Sequence, residues 1–332
     1  MEKALKVLIV TPASAGSRKG NRITTLRWGR ILRELGCRVA ISERYERQSC
    51  DVLIALHALK SHESILKFQT LRGGRPLILV LTGTDLHHDI HHSAEARLSM
   101  EWAERIVVLH ELGIPALSPE NQVKTRLIYQ SCIPLTQQPV KNREWFDICV
   151  VGHMRAVKDP FRTADASRLV AQDIPLRILH AGEPLSADME QRLFKETQEN
   201  PRYQWLGNLQ SWKTRRLIAK SQAMVISSLM EGGANVVSEA CVLGTPVLAS
   251  RIDGNIGLLG SDYQGYFPAQ DTKALAVLME KIFRQPDFLQ NLREHVTRRS
   301  ALFTPENEKN ALKNLLNEVY FKRVKSSFFS YF

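Results

Sequence analysis

Short, wholly apolar runs rich in β-branched residues recur through this chain and restrict its fold more tightly than any other feature. Residues 6–11 (KVLIVT), 51–57 (DVLIALH), 76–82 (PLILVLT) and 105–110 (RIVVLH) lack polar alternation, as expected of strands covered on both faces in a parallel sheet. Parallel neighbours need long crossovers, and helical stretches lie between most of the runs, the first over residues 22–35 and stopped by Gly36. Weaker runs at 38–41 and 126–130 complete a first series. A proline-bearing polar stretch over 133–144 (IPLTQQPVKNRE) reads as a linker. The pattern then restarts with strands at 146–151, 176–179, 203–206, 223–227 and 246–250, separated by helices near 160–170, 186–199, 211–221 and 235–243. Helical segments over 272–284, 287–299 and 305–324 close the chain. At 332 residues it is too long for one ordinary core. The alternation predicts two doubly wound, Rossmann-like α/β domains over 1–140 and 141–305, with a helix over 305–325 packing back on the first. Ligands are then expected at the carboxyl ends of both sheets, in the cleft that two such domains form.

Charge narrows the partners. Lys and Arg number 45 against 34 acids, a net charge of +11. Such an excess serves nucleic acid, a membrane surface or small anions. No basic block is interleaved with aromatics as a single-strand platform would be, so small anionic substrates are the better reading. No apolar run is long enough to span a bilayer, and MEKALKVLIVTP enters a strand directly instead of forming a signal peptide. The five cysteines are scattered, odd in number and without a CxxC pair, as small buried hydrophobes in a reducing compartment would be. A cytoplasmic protein is expected, of unspecified oligomeric state. The tail SSFFSYF reads as packed on a surface groove or frayed, with a membrane or partner contact as the alternative.

The densest chemistry lies in residues 225–257. A buried strand leads into Gly232 and Gly233, a helix starts near Asn235, and a second strand at 246–250 is followed by a loop bearing Gly254. A strand, a glycine turn and a helix N-terminus make an anion site, because backbone amides and the positive end of the helix dipole converge there. Glycines remove the side chains that would hold a phosphate away. Glu231 stands at the mouth of this cradle, and Glu239 lies further along the helix.

The segment EGGANVVSEACVLGTPVLAS resembles the EX7E signature of retaining GT-B glycosyltransferases of the large family 4. The resemblance implies that Glu231 contacts the donor sugar near its ring hydroxyls, that Glu239 holds the ribose, and that the amides of Gly233 and Ala234 take the diphosphate. VVGHMRAVKDP is similar to the family's strand followed by GR and Lys, whose cations neutralise the leaving group. Lys158 falls on the Lys position, His153 stands where the Arg usually does, and Arg155 can supply the missing charge. A fixed cation here stabilises the departing diphosphate more in the transition state than in the ground state. Trp205, Leu206 and Gly207 match the loop that holds the base through main-chain groups.

In the first domain, PASAGSRKGNR resembles the family's glycine loop. Gly16 and Gly20 permit backbone approach, and Arg18, Lys19 and Arg22 load the loop with positive charge, pointing to a small anionic acceptor carrying phosphate. In LTGTDLHHDIHH, Thr82 occupies the family's His position, before Gly83, Thr84 and Asp85. Histidines 87, 88, 91 and 92 include two i, i+4 pairs, yet no acid triplet or cysteine accompanies them, and the resemblance implies no metal and no other cofactor. GSRKGNRITTLRWGRILRELG, LTGTDL, VKDPF, MEGGANVVSEA and SRIDGNIGLLG with GYFP are similar to one branch of these transferases, the selenosugar synthases of selenoneine biosynthesis, over residues 6 to about 285. In that branch the donor is UDP-N-acetylglucosamine and the acceptor selenophosphate, a polarisable anion that needs no strong general base. Gly257 stands where family 4 members usually carry an acid. An oxygen-linking transferase with a phosphorylated or lipid acceptor, a GT-B nucleotide-sugar epimerase and a non-catalytic sugar-nucleotide binding module stay open beside it.

Overall fold

The computed structural model describes residues 4–17 and 19–321, so Arg18 and the aromatic tail lie outside the described residues. The first sheet comprises β1 (Lys6–Val10), β2 (Arg38–Ser42), β3 (Val52–Leu56), β4 (Leu77–Val80), β5 (Arg105–Val108) and β6 (Thr125–Leu127), in the order β2-β1-β3-β4-β5-β6. The second comprises β7 (Phe146–Val151), β8 (Leu176–Ala181), β9 (Tyr203–Trp205), β10 (Ala223–Ile226), β11 (Val247–Ser250) and β12 (Tyr266–Phe267), in the order β12-β11-β10-β7-β8-β9. Every neighbouring pair is parallel. The apolar runs explain this. All of β3 and β4 is buried, while β2 at the edge is partly exposed along its length.

The chain divides into two compact units. One runs to Gln130 and resumes at Pro305; the other is Ser131–Thr304. The division falls ahead of residue 140 for a physical reason. Gln130 is fastened to the first unit, its Oε1 accepting from Arg27 Nη2 at 2.8 Å and Thr24 Oγ1 at 3.2 Å. The stretch after it is held by the second unit: the Cys132 amide donates to Phe303 O at 3.0 Å, Arg215 Nη1 to Ile133 O at 2.7 Å, and Lys141 Nζ to Ser221 O. What reads as a linker is tied down along its length.

In the first unit, one apolar layer joins Trp28, Ile31 and Leu32 of the helix Gly20–Glu34 to β1, β3 and β4, and to Leu312, Leu315 and Leu316 of the helix Pro305–Leu316. Glu308, 1% exposed, is the polar centre of this returning helix. It accepts from Trp28 Nε1 at 2.8 Å and pairs with Arg27 Nε at 2.9 Å. A π turn, Asn317–Phe321, ends the segment, and Glu318 in it pairs with Arg105 and Arg126, each at 2.8 Å.

Two elements differ from the sequence reading of the second unit. Residues of the Gly254 loop form a helix, Asp253–Leu259, and Tyr266–Phe267 adds an edge strand too short to register as a run. Among the described residues no helix is long and apolar enough to cross a membrane.

Glu308→Ala should lower stability by about 3 kcal/mol, because it removes the acceptor of both Arg27 Nε and the buried Trp28 N–H. Urea unfolding of wild type and variant measures the loss.

Candidate active site

Counted within the second unit, the strand order is 3-2-1-4-5-6, which reverses between β7 and β10. The loops leaving these two strands therefore diverge and open a crevice at their carboxyl ends. Lys158 comes from the first loop and Glu231 from the second. Lys158 ends a 3-10 turn, Ala156–Lys158, and Asp159 follows in the left-handed region at φ +44°. Ser227 Oγ donates to Asp159 O at 2.8 Å and the Leu229 amide to Val157 O at 2.9 Å, stitching the loops together. Lys158 Nζ reaches Glu231 Oε1, which also accepts from Ser228 Oγ at 2.6 Å. Glu231 is 6% exposed, so its charge is compensated inside the protein and not by bulk water.

Beyond Glu231 the chain turns at Gly233, φ +138°, and enters the helix Asn235–Val242. No side chain caps this helix at Ala234, and its first turn holds no acid. Gly232 and Ala234 are buried; Gly233, Asn235 and Glu239 are half-buried. Gly254 lies directly against Glu231: a Cβ there would collide with the Glu231 carbonyl and its Cβ.

The other residues expected on the donor side are placed less uniformly. Arg155 is exposed beside the Lys158 turn. His153 occupies the position of the family's Arg, but its Nδ1 accepts from the Glu183 amide at 3.4 Å and lies 3.6 Å from the Glu183 carboxylate. Asn208 Nδ2 holds that carboxylate at 3.0 Å. The Leu206 amide donates to His180 O at 2.8 Å, and Gly207 O accepts from the Gly182 amide at 2.9 Å. A base held in this turn would use the Leu206 carbonyl or the Gly207 amide.

The first unit follows the order 2-1-3-4-5-6, whose reversal lies between β1 and β3. The loop after β1 carries exposed Gly16 and Lys19, and the helix after it opens with exposed Gly20 and half-buried Arg22; Arg18 lies outside the described residues. The helix Gly20–Glu34 begins earlier than the apolar periodicity suggests. Lys19 is its N-cap without a side-chain bond, and its first turn has no acid. The half-buried Thr82 hydroxyl accepts from Asn21 Nδ2 at 3.3 Å, joining this helix to the loop after β4.

Asp85 takes a different place from a ligand contact. It is fully buried, and it accepts the amides of Thr82 and Gly83 at 2.8 Å and of Ala58 at 3.0 Å. Its carboxylate shapes the loop that carries Thr82 and Thr84. A residue not foreseen is His57, at the carboxyl end of β3, 3% exposed, at φ +77°. Its Nε2 lies 3.1 Å from Thr84 Oγ1, and burial lowers its pKa against the pull of Asp85. A side chain held at positive φ stores strain that the surrounding fold must offset. The signal was present as the last residue of DVLIALH, where the strand meets the switch point. Of the histidine run, His88 stacks on His92 with centroids 4.4 Å apart; among the described residues no group of three His, Cys, Asp or Glu converges on one point.

Residues 135–299 match the family of glycosyl transferases group 1. No curated protein sequence matches the chain. Among solved structures, HepE of Anabaena in complex with UDP and glucose superposes with a TM-score of 0.75 at 14% identity, covering 95% of this chain and 100% of that one. Sucrose-phosphate synthase of Thermosynechococcus elongatus gives 0.80 at 16% identity, covering 96% and 100%. A glycosyltransferase of Rickettsia africae gives 0.71 at 12%, covering 95% and 98%. The fold is GT-B. Residues 135–299 carry the likeness to the group 1 glycosyl transferases, and the fold of the solved structures extends over nearly the whole chain.

Behind the Lys158 loop, His180 is fully buried, 2.7 Å from Tyr203 OH and 3.4 Å from Gly152 O, and burial pushes its pKa down to about 4. The unfolded chain binds this proton near pH 6.5 and the native protein does not, so stability falls as pH drops from about 6.5 to about 4 and the loss levels off below. His110, also lowered to about 4 by burial, adds to the same trend. The urea midpoint should fall across this window, and His180→Gln should flatten its slope.

Proposed function

We propose that this enzyme transfers N-acetylglucosamine from its UDP donor to selenophosphate, in the cytoplasm and without a metal. The observation that carries the donor half is the Lys158–Glu231 pair at the switch point of the second unit, beside an uncapped helix N-terminus. In this reading Lys158, with exposed Arg155, stabilises charge on the departing diphosphate, while Gly232, Gly233, Ala234 and Asn235 cradle its phosphates. Glu231 faces the sugar, Glu239 the ribose, and the 206–207 turn the base. His153, held by Glu183, orients its loop and leaves the added positive charge to Arg155. UDP bound in the Anabaena structure supports the choice of nucleotide.

The acceptor half rests on the basic switch-point loop of the first unit, with Lys19 and Arg22 at an uncapped helix N-terminus. Arg18 extends the same charge in sequence. Such a loop suits a small phosphorylated anion. Selenium is favoured by the sequence resemblance, and by Thr82 in place of a histidine, since an anionic nucleophile needs no base. The bond from the anomeric carbon to the diphosphate oxygen breaks, a carbon–selenium bond forms, and UDP leaves. Water then cleaves the selenium–phosphorus bond, releasing phosphate and the selenosugar.

Mass spectrometry of products from purified protein, UDP-N-acetylglucosamine and selenophosphate should show the selenosugar together with UDP. Only oxygen-linked or epimerised sugar would sink the selenium assignment. Glu231→Gln and Lys158→Ala should each lower turnover more than about tenfold, a loss above ~1.4 kcal/mol of transition-state stabilisation.

A further inference from the structure

We infer that Ser228 is a positioning residue of the donor site: its hydroxyl, carried on backbone that Ser250 and Asn255 anchor, fixes the rotation of the Glu231 carboxylate. The inference rests on the reading that Glu231 meets the donor sugar. A carboxylate can turn about its last bond, because that torsion has a broad, shallow profile. One donor on one oxygen restrains it poorly. Here two donors reach the same oxygen from different loops, Lys158 Nζ from the β7 loop and Ser228 Oγ, at 2.6 Å, from the β10 loop. With Oε1 held from two directions, the direction of Oε2 is set as well.

Ser228 is itself held. It is 2% exposed, so solvent offers its hydroxyl little alternative. Its carbonyl accepts from Ser250 Oγ at 2.6 Å, at the carboxyl end of β11. Ser250 Oγ in turn accepts from Asn255 Nδ2 at 3.1 Å, which also donates to Ser250 O at 2.9 Å. Because an ionised carboxylate only accepts, the Ser228 hydroxyl must donate to it. The bonds from Asn255 to Ser250 Oγ, and from Ser250 Oγ to the Ser228 carbonyl, anchor the backbone that carries this hydroxyl. Asn255 is fully buried in the helix Asp253–Leu259, whose Gly254 lies against the Glu231 backbone. One short helix therefore supports the acid twice, through backbone contact at Gly254 and through the Asn255–Ser250 anchor on the Ser228 backbone. Lys158 already supplies the counter-charge, so the contribution of Ser228 is directional.

The test is a double-mutant cycle on turnover of the donor, with UDP affinity measured by titration calorimetry on the same samples. Ser228→Ala should lower kcat by roughly tenfold at nearly unchanged donor KM, and hold UDP affinity within about twofold, because the nucleotide contacts lie elsewhere. Ser228→Thr, which keeps the hydroxyl, should retain most of the turnover. Combined with Glu231→Gln, Ser228→Ala should add nothing further, since Ser228 acts only through that carboxylate. A wild-type kcat in Ser228→Ala, a multiplicative loss in the double variant, or a matching loss of UDP affinity would overturn the inference while leaving Glu231 in place. Wild-type turnover in Glu231→Gln would overturn the reading beneath it.

Discussion

A buried carboxylate meeting a partly exposed ammonium is the constraint on which the second unit is organised. Taking Glu231 out of solvent is unfavourable alone, and the attraction of Lys158 compensates only if the geometry is held. The surrounding bonds supply that geometry. Ser227 and Leu229 tie the β10 loop to the β7 loop. Gly254 allows a helix to lie against the acid with no intervening side chain. The pair can form at a switch point because the loops on either side of the reversal turn away from each other and leave room for a ligand above them.

The first unit meets the same requirement differently. Its switch point carries a basic loop, a helix N-terminus without a side-chain cap, and a loop after β4 that Asp85 holds in shape through backbone amides. Asp85 and Glu231 are both buried acids at the carboxyl end of a strand. One is consumed by backbone amides and becomes part of the scaffold; the other is bound through side chains from two loops and stays near the surface of its crevice. The returning helix Pro305–Leu316 bears on the basic loop indirectly, since Glu308 clamps Arg27 and Trp28 in the helix that the loop begins.

The alternation of apolar runs and helices determined the architecture, because a strand buried on both faces has few other ways to be satisfied. The spacing from Glu231 through Gly232 and Gly233 to Glu239 determined where an anion cradle lies. Only the tertiary structure decided the rest. That Asp85 faces inward, that His153 is engaged by Glu183, and that His57 sits strained beside Thr84 depend on neighbours 27 to 30 positions away in sequence, which no local pattern reveals. Strand order also lies beyond periodicity: the two series of runs look alike, yet one sheet reverses between β1 and β3 and the other between β7 and β10. A run of apolar residues states that a strand is buried. Which strands flank it is settled by packing, and that choice is what brings Lys158 to Glu231.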